Sequence, residues 1–331
     1  MKRKSIILCA AVASAMSMAA QSIVVYPHSG DPITYKMADI SHIEFLPATD
    51  EPDTPQSEVS VSELYCHKGE SKIYGKLYRP AGVSETKALP TVILAHSASL
   101  TADAMNAYAT ALAADGYCAY AFDFCGGSDD SRSDGATADM TVFTEVDDLK
   151  AVIAELKANA GVDASKTFVL GSSQGGLVAA LTAEDAQTEL AGLILFYPAF
   201  NIPDLIAMMD QYGGLGGGAG GSGFGGMMSY SEAFCDAMRG YDVYANIGTF
   251  THPVIIVHGS NDFIVKISYS QKAVETYPDA TLYTIEGANH GFNADNLGSY
   301  GSMLGGAADY DSQVIPIVLS YMHAQAPLAA E

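Results

Sequence analysis

Apolar positions along the chain gather into short unbroken runs separated by stretches with helical spacing. The runs are Thr91-Val92-Ile93-Leu94-Ala95, Tyr117-Cys118-Ala119-Tyr120-Ala121-Phe122, Thr167-Phe168-Val169-Leu170, Leu193-Ile194-Leu195-Phe196-Tyr197, Val254-Ile255-Ile256-Val257 and Thr281-Leu282-Tyr283-Thr284-Ile285. A run with no polar alternation suits a strand covered on both faces, so each predicts a strand of a parallel sheet. Between the first two, residues 104–114 have helical spacing and stop at Gly116. Further on, Val142, Phe143, Val146, Leu149, Val152, Ile153 and Leu156 share one helical stripe. A helix is predicted to start just after Gly175 and a last one to cover residues 307–322. Residues 64–65 and 72–78 read as an antiparallel pair ahead of the first run. Strands alternating with helices predict an α/β domain over residues 58–331, a mostly parallel sheet with helices on both faces.

The remaining segments stand apart from this order. Residues 1–20 run from basic Lys2-Arg3-Lys4 through an apolar stretch to small residues, the pattern of a secretory signal peptide, and the apolar stretch is short for a membrane span. Residues 21–46 read as a small β-hairpin extension with a turn at Gly30-Asp31, and residues 47–57, with three prolines and several acids, as a linker. Residues 200–250, roughly, form an insertion between two strands, with a glycine-dominated stretch from Gln211 to Met228. That stretch lacks the entering strand and the Gly-Lys-Ser/Thr ending of a phosphate loop, and is read as a lid or loop.

Composition narrows the partners. A formal net charge of −22 over 331 residues repels phosphate backbones and anionic lipid, which argues against nucleic acid and against stable membrane insertion. Loss of the three basic leader residues would take the charge to about −25. Export places the protein in the periplasm or outside the cell, where disulfides are permitted. Cys66, Cys118, Cys125 and Cys235 allow three pairings, although Cys118 lies in an apolar run that suits a buried free thiol. No cysteine or histidine spacing has the form of a metal site, and no cofactor is called for.

The chemistry gathers around Gly171-Ser172-Ser173-Gln174-Gly175, a G-x-S-x-G motif entered by an apolar strand and left by the helix former Leu177-Val178-Ala179-Ala180-Leu181. In that context Ser173 is the candidate nucleophile on a strained strand-to-helix turn, and the glycines avoid clashes with neighbouring backbone. A serine hydroxyl needs a base, and the base needs an acid to orient it. His290 follows the last predicted strand and is the candidate base. Asp262 follows Val257 and is the favoured acid, with Asp204 as rival. Asp123 precedes the nucleophile and is read as a structural residue that hydrogen-bonds its loop. The backbone amide of Gln174 and that of Ala98, or alternatively Ser97, are candidates for an oxyanion hole.

These residues together resemble the α/β-hydrolase superfamily over roughly residues 58–325. Three stretches resemble its cinnamoyl/feruloyl esterase-like branch: His96-Ser97-Ala98-Ser99, Ala121-Phe122-Asp123-Phe124-Cys125-Gly126-Gly127-Ser128 and Ile285-Glu286-Gly287-Ala288-Asn289-His290-Gly291-Phe292. The resemblance implies hydrolysis of small or polysaccharide-linked carboxylic esters, often of hydroxycinnamic acids. The branch usually has His-Gly and a bulky residue where His96-Ser97-Ala98 stands. Ser97, Met208, Phe224, Met227 and Tyr230 are candidates to contact substrate. The Met- and Phe-rich insertion suits either an apolar lid or plain packing against the sheet. Two other readings keep the fold: an exported dipeptidyl- or oligopeptidase-like enzyme, and a non-catalytic module holding glycan or lipid.

Overall fold

The computed structural model describes residues 58–211, 230–292 and 309–328, together with short strands at residues 22–25, 33–36, 222–223 and 228–229. The chain divides into two units, Met1–Gln56 and Ser57–Glu331. In the first, β1 (Ser22–Val25) and β2 (Ile33–Lys36) form an antiparallel pair in which Ile23 faces Tyr35. The expected signal peptide, the Gly30-Asp31 turn and the linker lie outside the described residues.

The second unit is built on one eight-stranded sheet. In chain order it holds β3 (Val59–Lys68), β4 (Ser71–Pro80), β5 (Leu89–Ala95), α1 (Asn106–Ala114), β6 (Cys118–Phe122), α2 (Val142–Lys157), β7 (Val162–Ser172), α3 (Gln174–Ala183) and β8 (Gly192–Phe196). Then come α4 (Ile202–Gln211), the two-residue strands β9 (Ser222–Gly223) and β10 (Met228–Ser229), α5 (Glu232–Met238), β11 (Val254–Gly259), α6 (Ile267–Thr276), β12 (Ala280–Ile285) and α7 (Asp311–Gln325). The spatial order is β12-β11-β8-β7-β5-β6-β4-β3, and β4 alone in this sheet runs against its neighbours.

The apolar runs form strands because both faces of the sheet are covered. Ile93, Val169, Leu193 and Ile256 point into a core with α2 and α3, while Val92, Phe168, Ile194 and Ile255 point into a core with α1 and α7. Each of these side chains is essentially removed from water, and burial of one such side chain contributes about 1.5–3 kcal/mol. On α2, Val142, Val146, Leu149, Val152, Ile153 and Leu156 are buried as the stripe predicts. Phe143 departs from it: it is exposed and meets Tyr241 edge-on at 5.4 Å. Two acids, Glu145 and Asp148, lie on the inward side of α2 instead. Spacing alone places them there, because 142, 145, 149 and 152 recur at three and four residues.

Strand lengths differ from the sequence expectation mainly where polar residues extend a ladder. β7 begins at Val162, well before the apolar run, because Leu89 of β5 pairs with it there. The final helix starts at Asp311 rather than residue 307. Part of the glycine-dominated stretch is an antiparallel pair, Met228 facing Gly223, and not loop throughout. Cys66, Cys118, Cys125 and Cys235 are all free thiols. No helix among the described residues is long and apolar enough to cross a membrane.

Candidate active site

Parallel strands end at the same edge of a sheet, and the register brings five of these ends together. Ala95 of β5 pairs with Gly171 of β7, Ser172 with Phe196 of β8, Val257 of β11 with Phe196, and Gly259 with Ile285 of β12. The loops that follow therefore converge, carrying His96-Ser97-Ala98, Ser173, Tyr197, Asp262 and His290.

Ser173 occupies a backbone conformation that side chains rarely adopt, φ 51° and ψ −115°, between β7 and α3. Its amide donates to the Phe196 carbonyl at 2.9 Å, and its carbonyl accepts from Gly176, Leu177 and Ala199, so the turn is fixed from both sides. The flanking glycines are required by space. A Cβ on Gly171 would lie 2.2 Å from the Gly175 carbonyl oxygen, and one on Gly175 would lie 2.4 Å from the His96 carbonyl oxygen. That second contact shows how closely the nucleophile helix approaches the loop after β5.

The structure brings Ser173, His290 and Asp262 into one line. His290 Nε2 lies 2.9 Å from Ser173 Oγ, and His290 Nδ1 lies 2.7 Å from Asp262 Oδ2. A carboxylate only accepts, so Nδ1 carries the proton and Nε2 is free to accept from the serine hydroxyl. All three side chains are buried. Asp262 is anchored by the amides of Ile264 and Val265, both 2.9 Å from Oδ1. Burial by itself would raise its pKa, but the His290 charge and a hydrogen bond from His258 prevail and hold the carboxyl well below the usual carboxylate range. His258 is a second buried imidazole on this acid, with Nε2 donating to the Val265 carbonyl at 2.8 Å and lying 3.3 Å from Asp262 Oδ2. Its Nδ1 accepts from the Ser270 hydroxyl at 2.7 Å.

The rival acid, Asp204, is elsewhere, accepting from the exposed Tyr269 hydroxyl at 2.7 Å. Asp123 organises its loop, as its place in the sequence suggests. It accepts from the amides of Ala102 and Arg132 and pairs with the Arg132 guanidinium. His96 is buried and lends its ring to the backbone. Its Nε2 accepts from the Phe124 amide at 3.1 Å, which leaves Nδ1 to donate to the Ser97 carbonyl at 2.8 Å. Among the described residues, the amides of Ala98 and Gln174 donate to no carbonyl or side-chain oxygen. These are the two donors the sequence proposes for an oxyanion.

The substrate-contact candidates divide. Ser97 turns its hydroxyl inward, 2.9 Å from that of Ser172, which gives it an internal partner in place of a substrate. Tyr230 is buried and stacked on Phe234, with ring centroids 4.2 Å apart and planes 5° apart, so it packs the interior. Met208 is 41% exposed on α4. Phe224 and Met227 lie outside the described residues. No group of three or more His, Cys, Asp or Glu side chains gathers for a metal ion among the described residues.

Four neighbours of the site escape sequence reading. Ser172 is hidden inside the motif, and His258 reads as an ordinary strand residue. Tyr197 follows β8 directly, with φ 34°, and lays its ring 4.4 Å from that of His290. Glu145 accepts from Gln174 Nε2 at 2.8 Å, directly behind the nucleophile turn.

Comparison with known proteins agrees with this geometry. A family model described as serine aminopeptidase, S33, matches residues 86–214, a segment that contains Ser173 but ends before Asp262 and His290. No curated protein sequence matches the chain. Est1E from Butyrivibrio proteoclasticus, solved with ferulic acid bound, is similar with a TM-score of 0.62 at 22% identity, covering 79% of this chain and 98% of its own. Thermogutta terrifontis esterase 2, solved with propionate, is similar with a TM-score of 0.57 at 20% identity, covering 85% of this chain and 98% of its own. Sheet order and these matches define the class by its fold: the chain has the α/β-hydrolase fold. Both of these solved neighbours are described as esterases.

Proposed function

We propose that the protein is an exported esterase that cleaves carboxylic esters through an acyl-enzyme, with hydroxycinnamoyl or acetyl esters on plant polysaccharide as the substrate class. The observation that carries the proposal is the Ser173–His290–Asp262 line, at 2.9 and 2.7 Å. In this reading His290 Nε2 takes the Ser173 proton as Oγ attacks the ester carbonyl. The negative charge on the former carbonyl oxygen is met by the Gln174 and Ala98 amides. The tetrahedral intermediate collapses, the alcohol leaves with the proton from His290, and Ser173 carries the acyl group. Water, deprotonated by His290, then releases the acid. Asp262 keeps the imidazole in the required tautomer and stabilises its charged form.

The ester class is supported by the resemblance of the loops after β5, β6 and β12 to the cinnamoyl/feruloyl branch, and by a neighbour holding ferulic acid. The apolar start and basic tip of the chain support export. The S33 match favours a second reading, cleavage of aminoacyl bonds. A panel of methyl ferulate, acetylated xylan, p-nitrophenyl acyl esters and aminoacyl amides separates the two. Esters are expected to turn over and amides not, with labelling by a fluorophosphonate probe that is lost in Ser173→Ala. Labelling that persists in that variant would refute Ser173 as nucleophile, and cleavage of amides alone would refute the ester reading.

A further inference from the structure

The loop that follows β5 is held by unusual means. Its Ser97 carbonyl accepts from His96 Nδ1 at 2.8 Å and from the Leu100 amide at 3.2 Å, and Ser99 sits at φ 58°. Its Ser97 hydroxyl lies 2.9 Å from the Ser172 hydroxyl and 3.4 Å from the Ser172 carbonyl oxygen. Ser172 Oγ also lies 3.7 Å from the Met105 sulfur, and either hydroxyl can donate in the Ser97–Ser172 pair. Both serines are buried. Ser172 immediately precedes the nucleophile, and Ser97 immediately precedes Ala98. One side-chain hydrogen bond thus joins the strand that carries Oγ to the loop that carries one of the two unpartnered amides.

Tyr197 closes the arrangement. Its ring rests on His290, with centroids 4.4 Å apart. Its backbone is held in the left-handed region by its amide, which donates a hydrogen bond to the Val257 carbonyl at 2.9 Å. A conformation of that kind costs about 1–3 kcal/mol unless the surroundings impose it.

We infer that Ser97 and Ser172 are positioning residues for the reaction. Their hydroxyl pair sets the distance between the attacking oxygen and the Ala98 amide. This inference rests on the reading of Ser173 as nucleophile and of the Ala98 and Gln174 amides as the oxyanion site. A loop whose side chain at this position is only hydrogen has no such tie, so Ser97→Gly removes the tie without adding bulk.

The test compares Ser97→Ala, Ser97→Gly, Ser172→Ala and the double variant Ser97→Ala/Ser172→Ala on matched oxoester and thionoester substrates. A carbonyl oxygen draws fully on an aligned pair of amides, whereas thiocarbonyl sulfur is a poor acceptor and draws on them little. Each single variant is expected to lower kcat for the oxoester about 2- to 12-fold with KM little changed, the range of one lost aligned hydrogen bond. The thionoester rate is expected to hold, so the oxo-to-thiono ratio falls. The double variant is expected to match the single ones, because both remove the same bond. Thermal unfolding of each variant checks that the fold is intact. Equal losses on both substrates, additive losses, or an unchanged ratio in a folded variant would overturn the inference. Ser173→Ala separates this outcome from failure of the underlying reading: if it stays active, the nucleophile is wrong, and if it is dead while Ser97→Ala is unaffected, only the positioning role falls.

Discussion

Glu145 gives the most quantitative test of the physical reading. It is buried on α2, accepts from Gln174 Nε2 at 2.8 Å and lies near the Asp148 carboxylate one turn on. Tyr230 faces it from outside the helix. Burial pushes its carboxyl up from an ordinary 4.5 to about 8, the Asp148 charge adds to this, and the Gln174 hydrogen bond only partly opposes it. The folded protein therefore keeps a proton at Glu145 that the unfolded chain releases near pH 4.5. Between those two values the unfolded state binds fewer protons, so stability falls as pH rises, by about 1.4 kcal/mol per pH unit. Across the whole window the ceiling is about 5 kcal/mol, and relaxation around a buried charge still leaves several.

Glu145→Gln keeps the shape, removes the proton and supplies an N–H₂ for Gln174 Oε1, which is buried without a partner. Urea unfolding of both proteins at pH 5, 7 and 9 is the assay. At pH 5 the variant is expected to match the parent within about 1 kcal/mol, and by pH 9 to exceed it by several. A difference that stays constant from pH 5 to pH 9 would refute the protonated, buried carboxyl.

Asp262→Asn is expected to lower kcat by about four orders of magnitude and, because the buried carboxylate is held ionised by the fold and stabilises it at neutral pH, to lower thermal stability as well, read by ester turnover and unfolding together. Lys68→Met strands the buried Asp148 carboxylate, which Lys68 pairs with, and is expected to destabilise by about 3–5 kcal/mol, with Asp148→Asn on that background recovering most of the loss in denaturant titrations. Gly171→Ala, whose Cβ would sit 2.2 Å from the Gly175 carbonyl oxygen, is expected to lower stability by about 3 kcal/mol and activity with it, measured by melting and by probe labelling.

Much of the architecture was readable because burial on both faces leaves a direct mark: an uninterrupted apolar run. The antiparallel entry pair and α2 were equally legible, since alternation and a three-to-four spacing are local properties. Helix starts were less so. α7 begins at Asp311, and nothing about the small residues before it marks that boundary. At the site, Ser173, Asp262 and His290 each follow an apolar run, and that position is what brings them together at one edge of a parallel sheet. Contacts made by unremarkable residues across large sequence distances were not legible. Ser97 meets Ser172 over 75 positions, and Glu145 meets Gln174 over 29. Serine and glutamate are read by default as surface residues, and only the packed geometry shows that these are inside. The left-handed backbone at Tyr197 is likewise invisible in a residue that seldom adopts it.

β8 and β11 are hydrogen-bonded neighbours, although the chain between Phe196 and Val254 also forms α4, the β9–β10 pair and α5. Among the described residues, nothing in that excursion adds a rung to the eight-stranded sheet. Its first residues stay tied to the site, Tyr197 by its ring on His290 and Ala199 by its amide on the Ser173 carbonyl, while Ser173 on one side of it in sequence and Asp262 and His290 on the other are placed by strands. The line of Ser173, Asp262 and His290 thus owes its separation to the shared register of β7, β8, β11 and β12, a property of the sheet and not of the long connection between two of its strands.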